Sequence, residues 1–332
     1  MSKDCRPRPP RQRCSDRRRS EVADVSGGDG SSGKVLVTGA TGQCGRFFIE
    51  RLVARGVPVV ALARRAESLQ HLGQDLLAKV EPVVCDLADG CGALPIDLAA
   101  VVHMAAQSVP GGAPTWQTVR DNVVATARLR DFVLDTKVSR FILFSTMSVY
   151  GRISVPVVDE TVPSIAPDSY GMTKLLAEGL LADTADRLPA LALRLPGVLG
   201  PDARSPWVAR VLAALCRGEP VTVFNALSPF NNAVHVDDLA DFVATLLLQP
   251  LTGFDVVNLA AAGTVPIAQV PRIMAASIGV TAQVHAVGEN GSAFRIDCGR
   301  ACQRYGFSPP QIEDLLARFA REAARGLGRT VS

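Results

Sequence analysis

Tyr170 and Lys174 stand four residues apart in a stretch with helical spacing, 168–182, so their side chains share one face. A phenol is a poor acid or base near neutrality, with an ordinary pKa of about 10. An ammonium nearby stabilises the phenolate and lowers that value. Such a tyrosine can pass a proton to a carbonyl oxygen as hydride arrives at carbon, or run the reverse. Thr146, at the end of the apolar run Arg140–Thr146, can hydrogen-bond the same oxygen and align it. The three side chains together point to hydride transfer between a carbonyl and an alcohol.

Hydride chemistry needs a carrier, and the stretch 34–48 is built to hold one. Val35, Leu36, Val37 and Thr38 have strand character and run straight into glycines at 39, 42 and 45. A helical pattern through Cys44, Phe48 and Leu52 comes next and stops at Gly56. Strand, glycine turn and helix start form a cradle for a pyrophosphate. Gly39 permits the turn, Gly42 the approach of the phosphates, and Gly45 close packing of helix on strand. The next strand, 57–63, ends at Ala63 and is followed by Arg64 and Arg65. An acid there would grip the ribose hydroxyls of NAD; arginines pair with the 2′-phosphate of NADP, which favours NADP over NAD.

These residues must be held by a scaffold, and the pattern specifies it. Strands are expected at 79–87, 99–105, Arg140–Thr146, 190–196 and 255–260, with helices at 115–133, 168–182, 235–248 and 310–325. The strands are almost wholly apolar, as in a sheet covered on both faces. His103, inside one such run, reads as a core histidine rather than a catalyst. The alternation predicts an α/β fold, a Rossmann-like doubly wound parallel sheet of about seven strands. It breaks at 197–234 and again after 260, and those segments (197–234 and 261–330) are expected to form a smaller C-terminal substrate lobe. The nucleotide-binding domain is then 34–196, with 235–260 returning to it.

Charge and cysteine usage narrow the function classes. Of the 332 residues, the first 33 hold one Lys and seven Arg against five acids. The remainder holds 27 basic and 27 acidic residues, so the folded body is neutral and no nucleic-acid partner is expected for it. Residues 1–33 are expected to be a disordered basic extension. No apolar run is long enough to span a bilayer, so no membrane partner is expected. The eight cysteines form no Cys-x-x-Cys, and neither a metal site nor a disulfide framework is expected, which favours a reducing, cytoplasmic setting.

Taken together, the motifs resemble the short-chain dehydrogenase/reductase superfamily in its extended, NAD-dependent epimerase/dehydratase-like branch. They are Thr38–Gly45, Asp86-Leu87, His103–Ala106, Asn122-Val123, Ser145–Gly151, Tyr170–Lys174, Arg194–Pro201 and His235–Leu239, in that order. The resemblance implies Tyr170 as acid/base, Lys174 on the nicotinamide ribose, Thr146 on the substrate oxygen and Asn122 in a proton relay or a structural role. It implies cofactor contacts from Gly39, Thr41, Gly42, Gln43, Cys44 and Gly45, from Arg64, Arg65, Asp86 and Leu87, and from Met104, Ala105 and Ala106. It also implies a small-molecule substrate and a homodimer formed through the helices of Asn122 and Tyr170.

Three departures from the family pattern shape the functional expectation. Ala63 and Arg64 replace the acid of NAD-retaining epimerases. Met147 and Ser148 replace the Asp-Glu pair of sugar 4,6-dehydratases, which argues against dehydration. Asn231 stands where many nucleotide-sugar enzymes place an arginine on the substrate diphosphate. The expectation is an NADP-dependent oxidoreductase acting on a carbonyl or secondary alcohol. The alternatives are a nucleotide-sugar 4-epimerase that retains NAD and, from a different class, a non-catalytic NADP-sensing protein.

Overall fold

The computed structural model describes residues 33–326 except 43, 108–113, 137, 205, 290 and 292. The expected basic extension, the expected cofactor contact of Gln43 and the last six residues lie outside the described residues.

Seven strands form one sheet: β1 (Lys34–Thr38), β2 (Val59–Ala63), β3 (Glu81–Val84), β4 (Leu98–His103), β5 (Arg140–Thr146), β6 (Ala190–Leu195) and β7 (Phe254–Asn258). Their order is β7-β6-β5-β4-β1-β2-β3, and every pairing is parallel. The order reverses between β1 and β4, so the crevice for a ligand opens beyond their carboxyl ends. Successive side chains of a strand point to opposite faces, and here both faces are buried. Val35 and Val37 belong to one apolar cluster with α1 (Gly45–Ala54), while Leu36 belongs to another on the opposite face.

The second face is covered by α2 (115–134) and α3 (Ser169–Ala182). α2 has a π-helical turn at Arg120–Val124, which carries Asn122. Asp168 caps α3 by accepting from the Gly171 N–H at 2.7 Å.

A third apolar cluster forms the smaller lobe. It is built by α4 (Trp207–Arg217), α6 (Gln269–Ser277) and α8 (Ile312–Gly326). Leu315, Leu316, Phe319, Ala320 and Ala323 recur at helical spacing and are buried there. Between α4 and α6 lies α5 (Val236–Leu246), which returns to the sheet and packs on α1. Between α6 and α8 the short α7 (Gly299–Tyr305) lies against β7 at the sheet edge.

The His235–Leu239 motif joins the two parts. His235 accepts from the Asp237 N–H on Nδ1, and so donates from Nε2 to Glu322 of α8 at 3.0 Å. Asp237 pairs with Arg51 of α1, and Asp238 with Arg318 of α8. No helix among the described residues is long and apolar enough to cross a membrane.

Candidate active site

The glycine turn after β1 has the shape the sequence suggests. Gly39 has φ +72°, and a Cβ there would lie 2.8 Å from the Ala105 nitrogen. A Cβ at Gly45 would lie 2.3 Å from the Ala40 carbonyl oxygen. Only hydrogen fits at either position, so the turn can pack this closely on the end of β4 and on the start of α1. α1 begins at Cys44 with no side-chain cap and no acid in its first turn. The Gly45 N–H donates to the Gly42 carbonyl at 3.0 Å, and the N–H groups that follow it in the first turn are without a side-chain cap and suit an anion. This cradle fits a dinucleotide pyrophosphate. Burial pushes the Cys44 thiol up to about 11, so it stays protonated.

The wall of the turn comes from β4 and the three residues after it. Met104, Ala105 and Ala106 continue that strand, and the Ala105 N–H donates to Thr38 Oγ1 at 3.1 Å. His103 is buried between two threonines. Thr126 Oγ1 donates to the Asn122 carbonyl, so it accepts from His103 Nε2, 3.0 Å away. Nδ1 is then bare and accepts from Thr38 Oγ1 at 2.7 Å. Burial, with Lys174 nearby, lowers the His103 pKa to about 3, so the ring is a neutral strut.

The region where the adenine is expected is crowded with charge. Asp86 is held by Arg120 at 3.1 Å and by the Ala88 N–H at 3.0 Å, and Leu87 is buried beside it. Arg64, one residue past β2, donates to Asp121 of α2 at 2.9 Å. Arg120 reaches Asp86, Asp89 and Asp121. Arg65 is exposed.

Thr146 ends β5, as expected, and accepts from the Ser148 N–H at 3.2 Å. α3 docks directly on the turn beyond it: a Cβ at Gly171 would lie 2.2 Å from the Ser148 carbonyl oxygen. Tyr170, the residue before, is thereby fixed next to the end of β5. Lys174 is fully buried one turn further along, and Glu178 follows at the next turn. Burial lowers the Lys174 pKa to about 8, with Glu178 opposing the shift. Tyr170 is pushed up to about 12, by burial first and Asp168 second. The expected lowering by lysine is therefore absent from the protein alone: loss of water around the phenolate and the Asp168 charge both act upward, and Lys174 does not oppose them.

Asn122 fastens the site rather than facing it. Its Oδ1 accepts from the Gln107 N–H at 2.7 Å, and its Nδ2 donates to the Gln107 carbonyl and to Thr173. These bonds tie α2 to α3 one residue from Lys174. Beneath them Glu178 makes a bidentate pair with Arg194 at 3.1 and 2.7 Å and accepts from Ser145 at 2.5 Å. Arg194 also donates to Tyr150, which donates to Asn258 of β7.

One cavity opens beside Thr146, and a second adjoins it at Asn232. The first, of about 310 Å³, is walled by Thr146, Ser148, Pro196, Asn232 and Ile296. The second, of about 260 Å³, is lined by Trp207, Phe224, Phe230 and Phe294 and again by Asn232. The Asn232 Oδ1 is buried with no partner among the described residues. An acceptor is thus available to a ligand hydroxyl or N–H. Asn231 is spent on the fold: it is 4% exposed and bonds the Ala261 carbonyl and both backbone groups of Ile296.

Ile296 and the aromatic residues of the second cavity were not among the sequence candidates. Pro196 lies inside the Arg194–Pro201 motif without an assigned role, and Asn232 lies outside the motifs, beside Asn231. No spacing signal marks Ile296, which reaches the site through the short parallel pairing of Arg295–Ile296 with Val157–Val158.

Comparison with known proteins gives a consistent picture. The sequence pattern described as the NAD dependent epimerase/dehydratase family matches residues 35–260. A UDP-glucose 4-epimerase of Erwinia amylovora is 27% identical, the match covering 68% of this chain and 77% of that one. A dTDP-6-deoxy-L-talose 4-dehydrogenase (NAD(P)(+)) of Kitasatospora kifunensis is 29% identical, over 65% of this chain and 69% of that one. The solved structure of MoeE5 in complex with UDP-glucose and NAD is similar at a TM-score of 0.71 and 28% identity. That likeness covers 89% of this chain and 100% of MoeE5.

Proposed function

The chain belongs to the NAD dependent epimerase/dehydratase family, and from that premise we propose that it is a nucleotide-sugar 4-epimerase that keeps its NAD through the catalytic cycle. The observation that carries this reading is the likeness along the whole of MoeE5, which was solved with UDP-glucose and NAD. The names of the curated relatives point to the same carbon of the same substrate class. NAD here replaces the NADP suggested by Arg64 and Arg65.

When bound, the cofactor supplies the hydride acceptor and donor and, once oxidised, a positive charge. The chain's own residues handle the proton. Tyr170 removes it from the sugar hydroxyl during oxidation and returns it during reduction. Its pKa of about 12 in the protein alone means that a nearby cation is needed to make the phenolate accessible. Lys174, at about 8, is largely charged at neutral pH, and because that charge is already present in the protein alone, its role is assigned to the nicotinamide ribose. Thr146 Oγ1 hydrogen-bonds the reacting oxygen. The places of a dehydratase Asp-Glu pair are held by Met147 and Ser148, so elimination lacks its acid and base.

The sugar is assigned to the first cavity and the planar base to the aromatic second one, with Asn232 between them. Arg295, between Phe294 and Ile296 and half-exposed, is assigned to the diphosphate in place of Asn231. The test is interconversion of UDP-glucose and UDP-galactose without added nucleotide. Tyr170→Phe should abolish it, and wild-type failure on UDP-, GDP- and dTDP-sugars alike would overturn the reading.

A second reading, a carbonyl reductase with dissociable NADP(H), is favoured by the burial of Asn231 and by the absence, among the described residues, of any basic side chain from the lining of either cavity. Turnover that consumes NADPH stoichiometrically would support it.

A further inference from the structure

We infer that Asp121 is a specificity-determining residue for the cofactor: by occupying Arg64, it turns a site that reads in sequence as NADP-selective into one that accepts NAD. This rests on the proposed use of a nicotinamide nucleotide in the glycine cradle.

Arg64 follows the last residue of β2, where a cofactor's ribose hydroxyl or 2′-phosphate is discriminated. A guanidinium there attracts a phosphate only if its donors and its charge are available. Its Nη1 instead donates to Asp121 Oδ2 at 2.9 Å. Asp121 is anchored: its side chain is 6% exposed and its other oxygen takes Arg120 Nη1 at 2.9 Å. Arg120 is itself shared with Asp86 and Asp89. The connected group thus sets two guanidiniums against three carboxylates, and with exposed Arg65 beside it the local charge is balanced rather than basic. A dianionic 2′-phosphate thus finds no excess of positive charge from this group, which two neutral hydroxyls do not require.

The sequence could not show this. Asp121 is 57 residues from Arg64 and reaches it from the π-helical turn of α2.

The test is equilibrium binding of NADPH and NADH, by nicotinamide fluorescence, to the full chain freed of co-purified nucleotide. Wild type should prefer NADH. Asp121→Asn keeps the shape, removes the charge and frees Arg64. It should tighten NADPH about tenfold, the worth of one charge-assisted hydrogen bond, and leave NADH within about twofold. Arg64→Met alone should alter NADPH binding by less than about twofold, because the arginine is already engaged. In the Arg64→Met background the Asp121→Asn gain should vanish.

An unchanged NADPH/NADH ratio in Asp121→Asn overturns the inference, as does a gain that persists without Arg64. A large loss of NADPH binding in Arg64→Met also overturns it, without needing the Asp121 variant to fold. In each of these cases wild type still binds nucleotide, and the cofactor reading stands. Binding of neither nucleotide by wild type overturns the cofactor reading and this inference together.

Discussion

Replacing Glu178 by glutamine tests how the catalytic helix is held. The carboxylate is 4% exposed in its side chain and faces Arg194, whose side chain is 9% exposed, through two bonds of 3.1 and 2.7 Å. Glutamine preserves shape and can still accept from Ser145, but it leaves the guanidinium buried without a counter-charge. Breaking a buried pair from one side costs about 3–5 kcal/mol, far above the ~0–1 kcal/mol of an exposed pair. Glutamine retains part of the hydrogen bonding, so the lower figure, about 3 kcal/mol, is expected. With a urea m-value of about 3 kcal/mol/M, the unfolding midpoint falls by about 1 M. The double variant Glu178→Leu with Arg194→Met removes both charges and should cost less than the single change. The effect extends to function, because Glu178 supports the charged form of Lys174. The Lys174 pKa should drop below about 8 and the alkaline limb of the activity profile should move with it. A midpoint shift under about 0.3 M in Glu178→Gln would refute the claim that this pair anchors α3.

Tyr170→Phe should abolish turnover while leaving NADH affinity within about twofold, since the phenol acts on the proton; retained turnover would remove Tyr170 from its role. Lys174 should leave a signature in stability against pH. Its folded pKa of about 8 lies below its ordinary value, so the unfolded chain binds more protons between about pH 8 and 10.5. Stability should rise with pH across that window, by at most about 3 kcal/mol. Buried thiols pull the other way, Cys44 and Cys91 being pushed up to about 11. The observable is therefore the difference between wild type and Lys174→Met, and a flat difference would contradict it. Trp116, Val119, Val124, Met172 and Leu176 are exposed apolar residues on α2 and α3. Light scattering should give twice the monomer mass, and Trp116→Asp with Leu176→Asp should return it to one. Asn232→Leu should raise KM for the substrate with little change in NADH affinity, an outcome checked by steady-state kinetics.

What the sequence could reveal depended on how local each interaction is. β5 was legible to the residue as Arg140–Thr146, because a charged residue opens the run and Thr146 closes it. The start of α3 was legible within one residue through Asp168, whose cap is made three residues away. His103 was legible as a core residue because apolar neighbours flank it on both sides. Features made by distant partners were hidden. Asn231 meets Ile296 across 65 residues, and Arg64 meets Asp121 across 57. Tyr170 carried a helix-spacing signal for lysine but none for burial, so the direction of its pKa in the protein alone was misread. Residues after 260 offered no motif, and so Phe294 and Ile296 of the two cavities went unseen.

The proposed mechanism stands on NAD staying bound and being recycled at Tyr170. Its sharpest test is to denature the purified protein and assay the supernatant for NAD(H) and NADP(H). NAD(H) near one equivalent per chain, with no NADP(H), is the expected result. A protein that emerges empty and then takes up NADPH well ahead of NADH would contradict it.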